Sequence, residues 1–319
     1  MIRVDDLRKE YTTNTRDDGF LAAIKSVFNR ETKTVRAVND ISFTVETGEM
    51  VGFLGPNGAG KSTTVKMLTG GIKSTSGHIE VNGHHPWDDR KDYVQDIGVV
   101  FGQKTQLFQD IPAVDAFRLI QDIYQIPEDD FQRRLTELTD LFNVDEVTQS
   151  PVRKLSLGQR MKCEFIASLL HGPSVLYLDE PTIGLDANAK QSVRTVLKRL
   201  NQETNITLFL TTHDMDDVEA LCERVIVLDD GNKIYDGTIQ GLRDKYVRVK
   251  HVTIDYQDTI PDELIETYGL HAQNNRVQGQ IRAEADMQAF FNTVFQEPVL
   301  DLTFHDDDLE HIIQRIYNE

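Results

Sequence analysis

The chain has 319 residues, a length that suits one large domain or two unequal ones. Its 52 acidic side chains outnumber 34 basic ones, and the resulting net charge of −18 disfavours broad binding to the phosphates of nucleic acids. A hydrophobic content of 39% and a charged content of 27% are ordinary for a globular protein and indicate neither disorder nor a fibre.

The sequence contains no apolar stretch of the roughly 18–20 residues that a membrane-spanning helix needs. Its first residues, MIRVDDLRKE, also lack the apolar segment of a signal peptide. Two cysteines, Cys163 and Cys222, give neither a disulfide framework nor the spacing of metal ligands, so we expect buried, reduced thiols. These features predict a soluble, cytoplasmic protein.

The first distinctive segment in chain order is residues 13–34, whose pattern is typical of an insertion. Its apolar residues share one helical face, opposite Lys25 and Arg30; they are Phe20, Leu21, Ile24, Val27 and Phe28. We interpret the segment as a surface helix that closes over the core. Contact with a membrane surface or a partner subunit is the alternative interpretation.

Short β-branched runs alternate with helical patterns through most of the chain, which predicts an α/β fold. Several of these runs are apolar on both faces, as in strands buried inside a sheet. The predicted strands are residues 41–45, 50–54, 97–101, 175–179, 207–211 and 225–229. Residues 105–165 instead show helical periodicity and predict a helical insertion in the strand-rich core.

The composition changes near Gly241, and the rest of the chain is acidic. Its predicted elements alternate: strand 247–256, helix 262–268, strand 276–282, helix 286–295, strand 299–304 and helix 307–317. We therefore expect two domains, residues 1–242 and residues 243–319. The second is expected to be a small α/β module without clustered chemistry of its own.

The residues with the clearest chemistry are GPNGAGKS, residues 55–62, which fit the pattern GxxxxGK[ST]. A predicted strand precedes them and a helical run follows, the context that a phosphate-binding loop requires; this context disfavours a chance match. Glycines allow successive backbone N–H groups to turn toward phosphates, and the helix directs its positive end at them. Lys61 is predicted to reach the β- and γ-phosphates, and the Ser62 hydroxyl to bind Mg²⁺.

Two acidic residues follow a second buried strand. Asp179 ends the apolar run VLYLD, where a carboxylate is costly unless a cation offsets its charge. A water-mediated contact with Mg²⁺ would supply that cation. Glu180 comes next and is predicted to orient and deprotonate a water molecule at the γ-phosphate. A pair of acids that only caps the strand is the alternative.

Two further segments carry weaker signals by themselves. LSLGQR, residues 155–160, precedes the strand that ends at Asp179, but serine and glycine are also ordinary at the start of a helix. His213, in the run TTHD, directly follows the predicted strand 207–211. Alone, it is equally well explained as a structural histidine.

In this order and spacing, the four segments resemble the nucleotide-binding domain of the ATP-binding cassette (ABC) family, over about residues 1–240. The resemblance implies a P-loop NTPase of the ABC type, with a RecA-like core, an antiparallel β subdomain and a helical subdomain, followed by the C-terminal α/β module. It also implies that the chain binds ATP and Mg²⁺ and hydrolyses ATP.

The resemblance assigns a role to each matching position. Glu180 corresponds to the catalytic glutamate, His213 to the switch histidine that senses the γ-phosphate, and Gln103 to the Q-loop glutamine. Ser62, Gln103 and Asp179, the last being the aspartate of Walker B, correspond to the residues that hold Mg²⁺. The positions implied in ATP binding are Tyr11 at the adenine, Gly55, Pro56, Asn57, Gly58, Ala59, Gly60, Lys61, Ser62 and Thr63 in Walker A, and Ser156, Gly158 and Gln159 in the signature.

The signature departs from the family pattern. It reads LSLGQ where LSGGQ is usual, so Leu157 replaces a glycine. Because Ser156 and the Gly158 amide are retained, we expect the contact with ATP to persist, although helix docking across a dimer can differ. Downstream, the run Gly184, Leu185 and Asp186 resembles the D-loop.

Two other assignments have alternatives. The Q-loop, VVFGQKTQLF, is one residue longer than usual before its glutamine, so Gln106 is the alternative to Gln103. The long insertion separates Tyr11 from Walker A by more residues than usual. Phe28 or Val35 is therefore the alternative contact for adenine.

The resemblance implies a split active site, in which one chain supplies Walker A, Walker B and the histidine while another supplies the signature. One set of motifs per chain implies a homodimer or a closely related ATPase partner. We expect the ATPase subunit of a bacterial exporter, bound to a separate integral membrane permease at the inner face of the cell membrane, with no nucleic-acid partner. The C-terminal module is expected to aid dimer contact or regulation, or only to add stability.

Other classes of ATPase fit the sequence less well. A DNA-maintenance ATPase of the SMC type needs a long coiled coil within residues 64–154, an interval that is too short. A translation ATPase normally carries two cassettes and a basic linker, whereas this chain has one cassette and an acidic tail. A non-enzymatic binding module has no use for both Glu180 and His213.

Overall fold

The computed structural model describes residues 1–14, 32–246, 249–282 and 286–318. Within these ranges the chain forms two compact units, Met1–Gly237 and Thr238–Glu319. The division predicted from the sequence, after residue 242, falls inside the helix Ile239–Tyr246. The described residues include no helix that combines the length and the apolar character needed to cross a membrane.

The strands of the first unit form two sheets within the described residues. They are β1 (Ile2–Asn14), β2 (Thr32–Val45), β3 (Met50–Leu54), β4 (Ser76–Val81), β5 (Ile97–Phe101), β6 (Val175–Asp179), β7 (Thr207–Thr211), β8 (Arg224–Asp229) and β9 (Asn232–Thr238). The order β5-β6-β7-β3-β8-β9 makes a six-stranded sheet that is parallel from β5 to β8. The order β2-β1-β4 makes an antiparallel sheet.

The six predicted strands are confirmed, because each is a strand or part of one. Parallel strands covered on both faces need continuous apolar sequence, and the side chains of Phe53, Tyr177 and Phe209 are fully buried. The ring centroids of Phe53 and Phe209 lie 5.0 Å apart, and those of Tyr177 and Phe209 lie 5.8 Å apart. This core fixes the carboxyl ends of β3, β6 and β7 at one edge of the sheet.

Strands β1, β4 and β9 were not predicted. β1 pairs with β2 as far as Asn14 and Thr32. Residues 13–14 and 32–34, at the two ends of the predicted insertion, therefore belong to strands rather than to a helix. The apolar helical face predicted for residues 20–28 lies outside the described residues.

In the part of the first unit that the structure describes, the α-helices are α1 (Lys61–Leu68), α2 (Arg90–Asp96), α3 (Ala113–Tyr124), α4 (Glu128–Phe142), α5 (Leu157–Leu169), α6 (Ala187–Thr204) and α7 (Met215–Leu221). Helices α3 to α5 confirm the helical character predicted for residues 105–165. His171, just after α5, donates from Nε2 to the carbonyl oxygen of Ile97 at 2.9 Å, and its ring stacks on Tyr124 with centroids 4.1 Å apart. These contacts attach the helical region to the sheet.

The second unit contains α8 (Ile239–Tyr246), β10 (Val249–Tyr256), α9 (Asp262–Glu266), β11 (His271–Gln273), β12 (Arg276–Arg282), α10 (Met287–Val294), β13 (Val299–Asp306) and α11 (Leu309–Asn318). Its antiparallel sheet has the order β11-β12-β10-β13. Ile254, Val277 and Phe290 are buried in its core. Apart from the short β11, the strands and helices alternate as predicted.

A buried carboxylate in the second unit has a cationic partner. Asp307 accepts a hydrogen bond from His251 Nε2 at 2.8 Å and another from Arg315 at 2.6 Å. Burial raises the pKa of Asp307, but the two hydrogen bonds and the Arg315 charge outweigh it, so the pKa lies below its usual value. Asp307 is therefore held inside the unit in its ionised form, paired with Arg315.

Candidate active site

The loop between β3 and α1 makes a tight turn just before Lys61. Gly58 and Gly60 have φ angles of +91° and +101°, a left-handed conformation that favours glycine. A Cβ on residue 60 would also lie 2.4 Å from the carbonyl oxygen of Ala37. Backbone conformation therefore favours glycine at both positions, and close packing against β2 also requires it at residue 60.

The Lys61 ammonium group is held inside this loop. The residue is only 8% exposed, and Nζ donates to the carbonyl oxygens of Gly55 at 2.5 Å and Pro56 at 3.1 Å. Burial lowers the pKa of Lys61, while Glu180 and Asp179 act in the opposite direction. The loop thus holds a desolvated cation whose direct partners are carbonyl dipoles, an arrangement suited to an anion such as phosphate.

Asp179 and Glu180 lie at the end of β6, beside the end of β7. Asp179 accepts a hydrogen bond from Thr211 Oγ1 at 2.5 Å, and the Glu180 N–H donates to the Thr211 carbonyl oxygen at 2.8 Å. His213 Nδ1 lies 3.5 Å from Glu180 Oε1. Because β7 lies between β3 and β6, the parallel sheet brings both carboxylates, the histidine and the phosphate loop to one edge.

The backbone of Glu180 is held in an uncommon conformation. Its φ of +53° is left-handed and costs a residue with a side chain about 1–2 kcal/mol. The Gly102 N–H donates to the Asp179 carbonyl oxygen at 2.8 Å, and a Cβ on residue 102 would lie 1.9 Å from the Glu180 carbonyl oxygen. Gly102 is therefore a site residue that the sequence analysis missed. Its signal was a glycine directly between a buried strand and Gln103.

The two candidate glutamines of the Q-loop have different surroundings. Gln103 follows Gly102 directly and is exposed beside the end of β6. Gln106 is turned toward α5: its Nε2 donates to the Glu164 carbonyl oxygen at 3.2 Å, and its backbone N–H donates to the Glu164 carboxylate at 3.1 Å. Gln103 follows the glycine whose N–H bonds to the Asp179 carbonyl oxygen, whereas Gln106 is bonded to Glu164.

The signature residues lie at the start of α5. The Ser156 side chain accepts a hydrogen bond from the Gln159 N–H at 3.2 Å, and the Ser156 N–H donates to Gln159 Oε1 at 3.0 Å. This reciprocal cap uses the Gln159 side chain, but it leaves the exposed Ser156 hydroxyl free to donate its own proton. The Gly158 amide lies in the first turn of the same helix.

An open groove of about 350 Å³ joins the signature to the D-loop residues. It is lined by Ser156, Leu157, Gly158, Gln159, Lys162, Gly184, Leu185, Asp186, Asn188, Ala189 and Ser192. The Leu157 side chain comes within 3.2 Å of where a Cβ on Gly184 would lie, so this departure from the family pattern is packed against the D-loop. Among the described residues, those lining the groove include none from Walker A or Walker B.

An ion-pair network behind His213 was also missed. Asp217 is fully buried and accepts hydrogen bonds from Thr182 and, at 2.6 Å, from Arg194 Nε. Asp214 pairs with Lys190 and Arg194. Burial raises the pKa of Asp214, but the two cations outweigh it, so the pKa is lowered. The network ties α6 to the segment that follows His213.

Tyr11 lies on β1, opposite Val35 on β2. Both side chains are exposed, and Lys9 Nζ lies 5.1 Å from the centroid of the Tyr11 ring. Ala37, two residues beyond Val35, is the residue that packs against Gly60. Both candidates therefore lie on the strand pair that approaches the phosphate loop, while Phe28 lies outside the described residues.

This fold and this sheet edge define an ATPase of the P-loop class. Residues 38–183 match the family model described as ABC transporter. Over 215 residues the chain is 34% identical to the ABC transporter ATP-binding protein NatA of Bacillus subtilis, covering 67% of this chain and 87% of NatA. It is 33% identical over 215 residues to the linearmycin resistance ATP-binding protein LnrL of the same organism, covering 67% of each.

A solved structure agrees with this fold. The ATP-binding cassette MJ0796, in a dimeric post-hydrolysis state with ADP and Pi, aligns with a TM-score of 0.62 over 75% of this chain and 99% of that one, at 22% identity. The chain belongs to the ABC transporter family, and it is an ATP-binding subunit that hydrolyses ATP. The predicted fold class, ATP ligand and ATPase activity are confirmed.

Proposed function

We propose that the chain hydrolyses ATP in a composite site shared by two cassettes, and that this cycle drives export through a separate membrane permease. The observation that carries the proposal is the separation of the motifs within one chain. Lys61, Glu180 and His213 gather at the edge of the six-stranded sheet, whereas Ser156 lines a different, open groove. A single copy therefore leaves its γ-phosphate without the donors of the signature.

The residues at the sheet edge fit a magnesium ion together with the triphosphate. Ser62 offers a hydroxyl, Asp179 a carboxylate and Gln103 an amide oxygen, and Mg²⁺ prefers such hard oxygen ligands. Ser62 and Gln103 are exposed and Asp179 is half-buried, so all three are open to a ligand. A bound Mg²⁺ ion would neutralise charge on the β- and γ-phosphates.

Glu180 is the proposed general base. Its half-buried carboxylate is placed to orient a water molecule and accept its proton, with the backbone fixed by Thr211 and Gly102. The exposed ring of His213, next to that carboxylate, is placed to contact the γ-phosphate. When ATP binds, Lys61 would exchange its carbonyl partners for phosphate oxygens and stabilise the charge of the transition state.

The second set of donors comes from another cassette. The Ser156 hydroxyl and the Gly158 amide lie at the positive end of α5, which suits an anion. They would meet the γ-phosphate held by the opposite chain. Since this chain carries one set of motifs, the partner is a second copy or a closely related ATPase subunit; the structurally similar cassette MJ0796 is dimeric.

A separate permease would receive the motion. The Q-loop and the adjoining helices carry exposed apolar side chains, of which Phe108 and Ile123 are 58% and 61% exposed. These side chains are accessible to a partner protein. Export is supported by the similarity to LnrL, which its name links to linearmycin resistance. The proposal places the chain at the cytoplasmic face of the membrane, with its acidic second unit assisting dimer contact or regulation.

Two inactive variants test the composite site. Ser156→Arg should abolish turnover but keep ATP binding, and Lys61→Ala should lose nucleotide affinity. In a mixed dimer, the intact Walker A and Walker B residues of the Ser156→Arg chain face the intact signature of the Lys61→Ala chain. At a one-to-one ratio half of the dimers are mixed and each has one intact site, so turnover should return to about a quarter of the wild-type value.

The control is the double variant Ser156→Arg/Lys61→Ala mixed with either single variant. It offers no complementary half, so it should restore nothing. Full turnover by a strictly monomeric chain, or the absence of any rescue by the two single variants, would contradict the shared site. Co-purification with an integral membrane protein tests the permease separately.

A further inference from the structure

A buried carboxylate on the signature helix has no role in the site described above. Glu164 is only 3% exposed, and its neighbours in sequence, Cys163 and Phe165, are fully buried. It lies on α5, eight residues after Ser156, or about 12 Å along the helix axis. A carboxylate at such a position is costly unless hydrogen bonds compensate for the lost water.

The compensation comes from the Q-loop, far away in sequence. Thr105 Oγ1 donates to one carboxylate oxygen of Glu164, and the Gln106 N–H donates to the other at 3.1 Å. Gln106 Nε2 adds a bond to the Glu164 carbonyl oxygen at 3.2 Å. Burial raises the pKa of Glu164, and the hydrogen bonds from the loop oppose that shift. The far end of the Q-loop is thus fixed to α5.

The near end of the Q-loop is fixed to the end of β6, the strand that carries Asp179. The Gly102 N–H donates to the Asp179 carbonyl oxygen at 2.8 Å. Gln103 and Lys104 are exposed and lie between these two anchors. The extra residue that distinguishes this Q-loop therefore lies in a segment that is bonded to β6 at one end and to α5 at the other.

We propose that Glu164 is a positioning residue: it holds the far end of the Q-loop to the signature helix and so sets the place of Gln103 in the active site. This inference rests on the proposed role of Gln103. It also implies that a displacement of α5, whose first turn carries Ser156, reaches Gln103 through the Glu164 carboxylate. Without the carboxylate, the Q-loop would keep the bond from Gln106 Nε2 to the Glu164 carbonyl oxygen but would lose its two bonds to the Glu164 side chain.

The test uses the full chain and measures kcat, KM for ATP and the Mg²⁺ concentration that gives half-maximal turnover. Glu164→Met keeps the volume and removes the acceptors, so we expect kcat to fall roughly ten- to a hundredfold, with KM for ATP little changed and the Mg²⁺ requirement raised. Thr105→Val removes one donor from the loop side, so it should also lower kcat and raise the Mg²⁺ requirement. Glu164→Gln keeps an acceptor for the Gln106 N–H and should restore most of the turnover.

A double-mutant cycle separates positioning from general packing. If Glu164 acts through Gln103, Glu164→Met should add little to the loss caused by Gln103→Ala. Cys163→Ala is the matched control, because it disturbs the adjacent buried position of α5 and keeps the Glu164 carboxylate. It should lower stability and leave the Mg²⁺ dependence unchanged.

The outcomes distinguish the inference from the proposal on which it rests. Normal turnover in Gln103→Ala would refute the role of Gln103, and the positioning role with it. If Gln103→Ala lowered turnover but Glu164→Met had normal turnover and normal Mg²⁺ dependence, only the positioning role of Glu164 would be refuted. Fully additive losses in the double variant would also overturn it.

Discussion

The edge of the six-stranded sheet and the start of α5 both carry motif residues, but they are built differently. At the sheet edge, Lys61 is buried, Asp179 is bonded to Thr211, and Glu180 is fixed in a left-handed conformation. At the start of α5, Ser156 is exposed and its groove is open. The first region is organised for a ligand within one chain, whereas the second presents donors outward.

This difference explains why the two regions need different tests. A change at the sheet edge should alter the chemistry or the affinity of the chain that carries it. A change at the start of α5 should leave that chain's own nucleotide bound and should affect a neighbour. Turnover, stability of the helical region and nucleotide affinity should therefore respond to different substitutions.

The largest effect is expected from Glu180→Gln. The amide keeps the shape of the side chain and can occupy the same left-handed position, but it cannot accept the proton of the attacking water. Turnover should fall by about 10²–10⁴-fold, while ATP affinity stays close to wild type. Steady-state turnover and equilibrium binding of ATP measure the two quantities on the same preparation.

Glu180→Gln also tests the role of the signature residues at the start of α5. If the signature of another chain closes over bound ATP, Glu180→Gln should accumulate as a dimer with ATP, visible by sedimentation. Adding Ser156→Arg to it should prevent that dimer and leave ATP bound to monomers. Undiminished turnover of Glu180→Gln would remove the general-base assignment.

The sheet edge could be predicted from sequence because its chemistry lies in contiguous runs. Residues 55–62 and the pair Asp179 and Glu180 each follow a strand whose apolar pattern is unbroken. Parallel strands then bring their carboxyl ends together without further information. The α/β class followed from these local patterns, whereas the ABC-type fold was implied by the resemblance of the motifs to that family.

The remaining features depend on contacts that no local pattern contains. The bond from Thr105 to Glu164 spans 59 residues, and the bond from Thr182 to Asp217 spans 35. Strand β1 was missed for a different reason. Its pairing shifts register three times and Asp6 has a φ of +46°, so the two-residue alternation of an ordinary strand is interrupted.

A smaller effect is expected from acidification, and it concerns the attachment of the helical region. His171 donates to the carbonyl oxygen of Ile97, and its Nδ1 is buried without a hydrogen-bond partner among the described residues. Burial lowers the pKa of His171 to about 4. The unfolded chain therefore binds a proton that the folded chain does not as pH falls from about 6.5 toward 4, and stability is lost over that window.

The His171 contribution can be isolated by substitution. Between about pH 7.5 and pH 5, this one group should cost about 2 kcal/mol of unfolding free energy. His171→Gln keeps a side-chain N–H for Ile97 and removes the titration, so its stability should fall less over the same interval. Urea unfolding at both pH values measures the difference between variant and wild type. An identical loss in both proteins would show that other groups cause the acid sensitivity.

The smallest effect is expected at the adenine contact, where the sheet edge meets the antiparallel sheet. Tyr11 and Val35 are opposed and exposed on the strand pair that packs against Gly60. If the Tyr11 ring stacks on the base, Tyr11→Ala should weaken ATP by about 1 kcal/mol, and Tyr11→Phe should not. Inorganic triphosphate has no base, so its competition for the site should be unchanged. Val35→Ala is the control. A larger loss of ATP affinity in Val35→Ala than in Tyr11→Ala would move the base contact to β2. If Tyr11→Ala weakened ATP and triphosphate equally, Tyr11 would support the phosphate loop instead of the base.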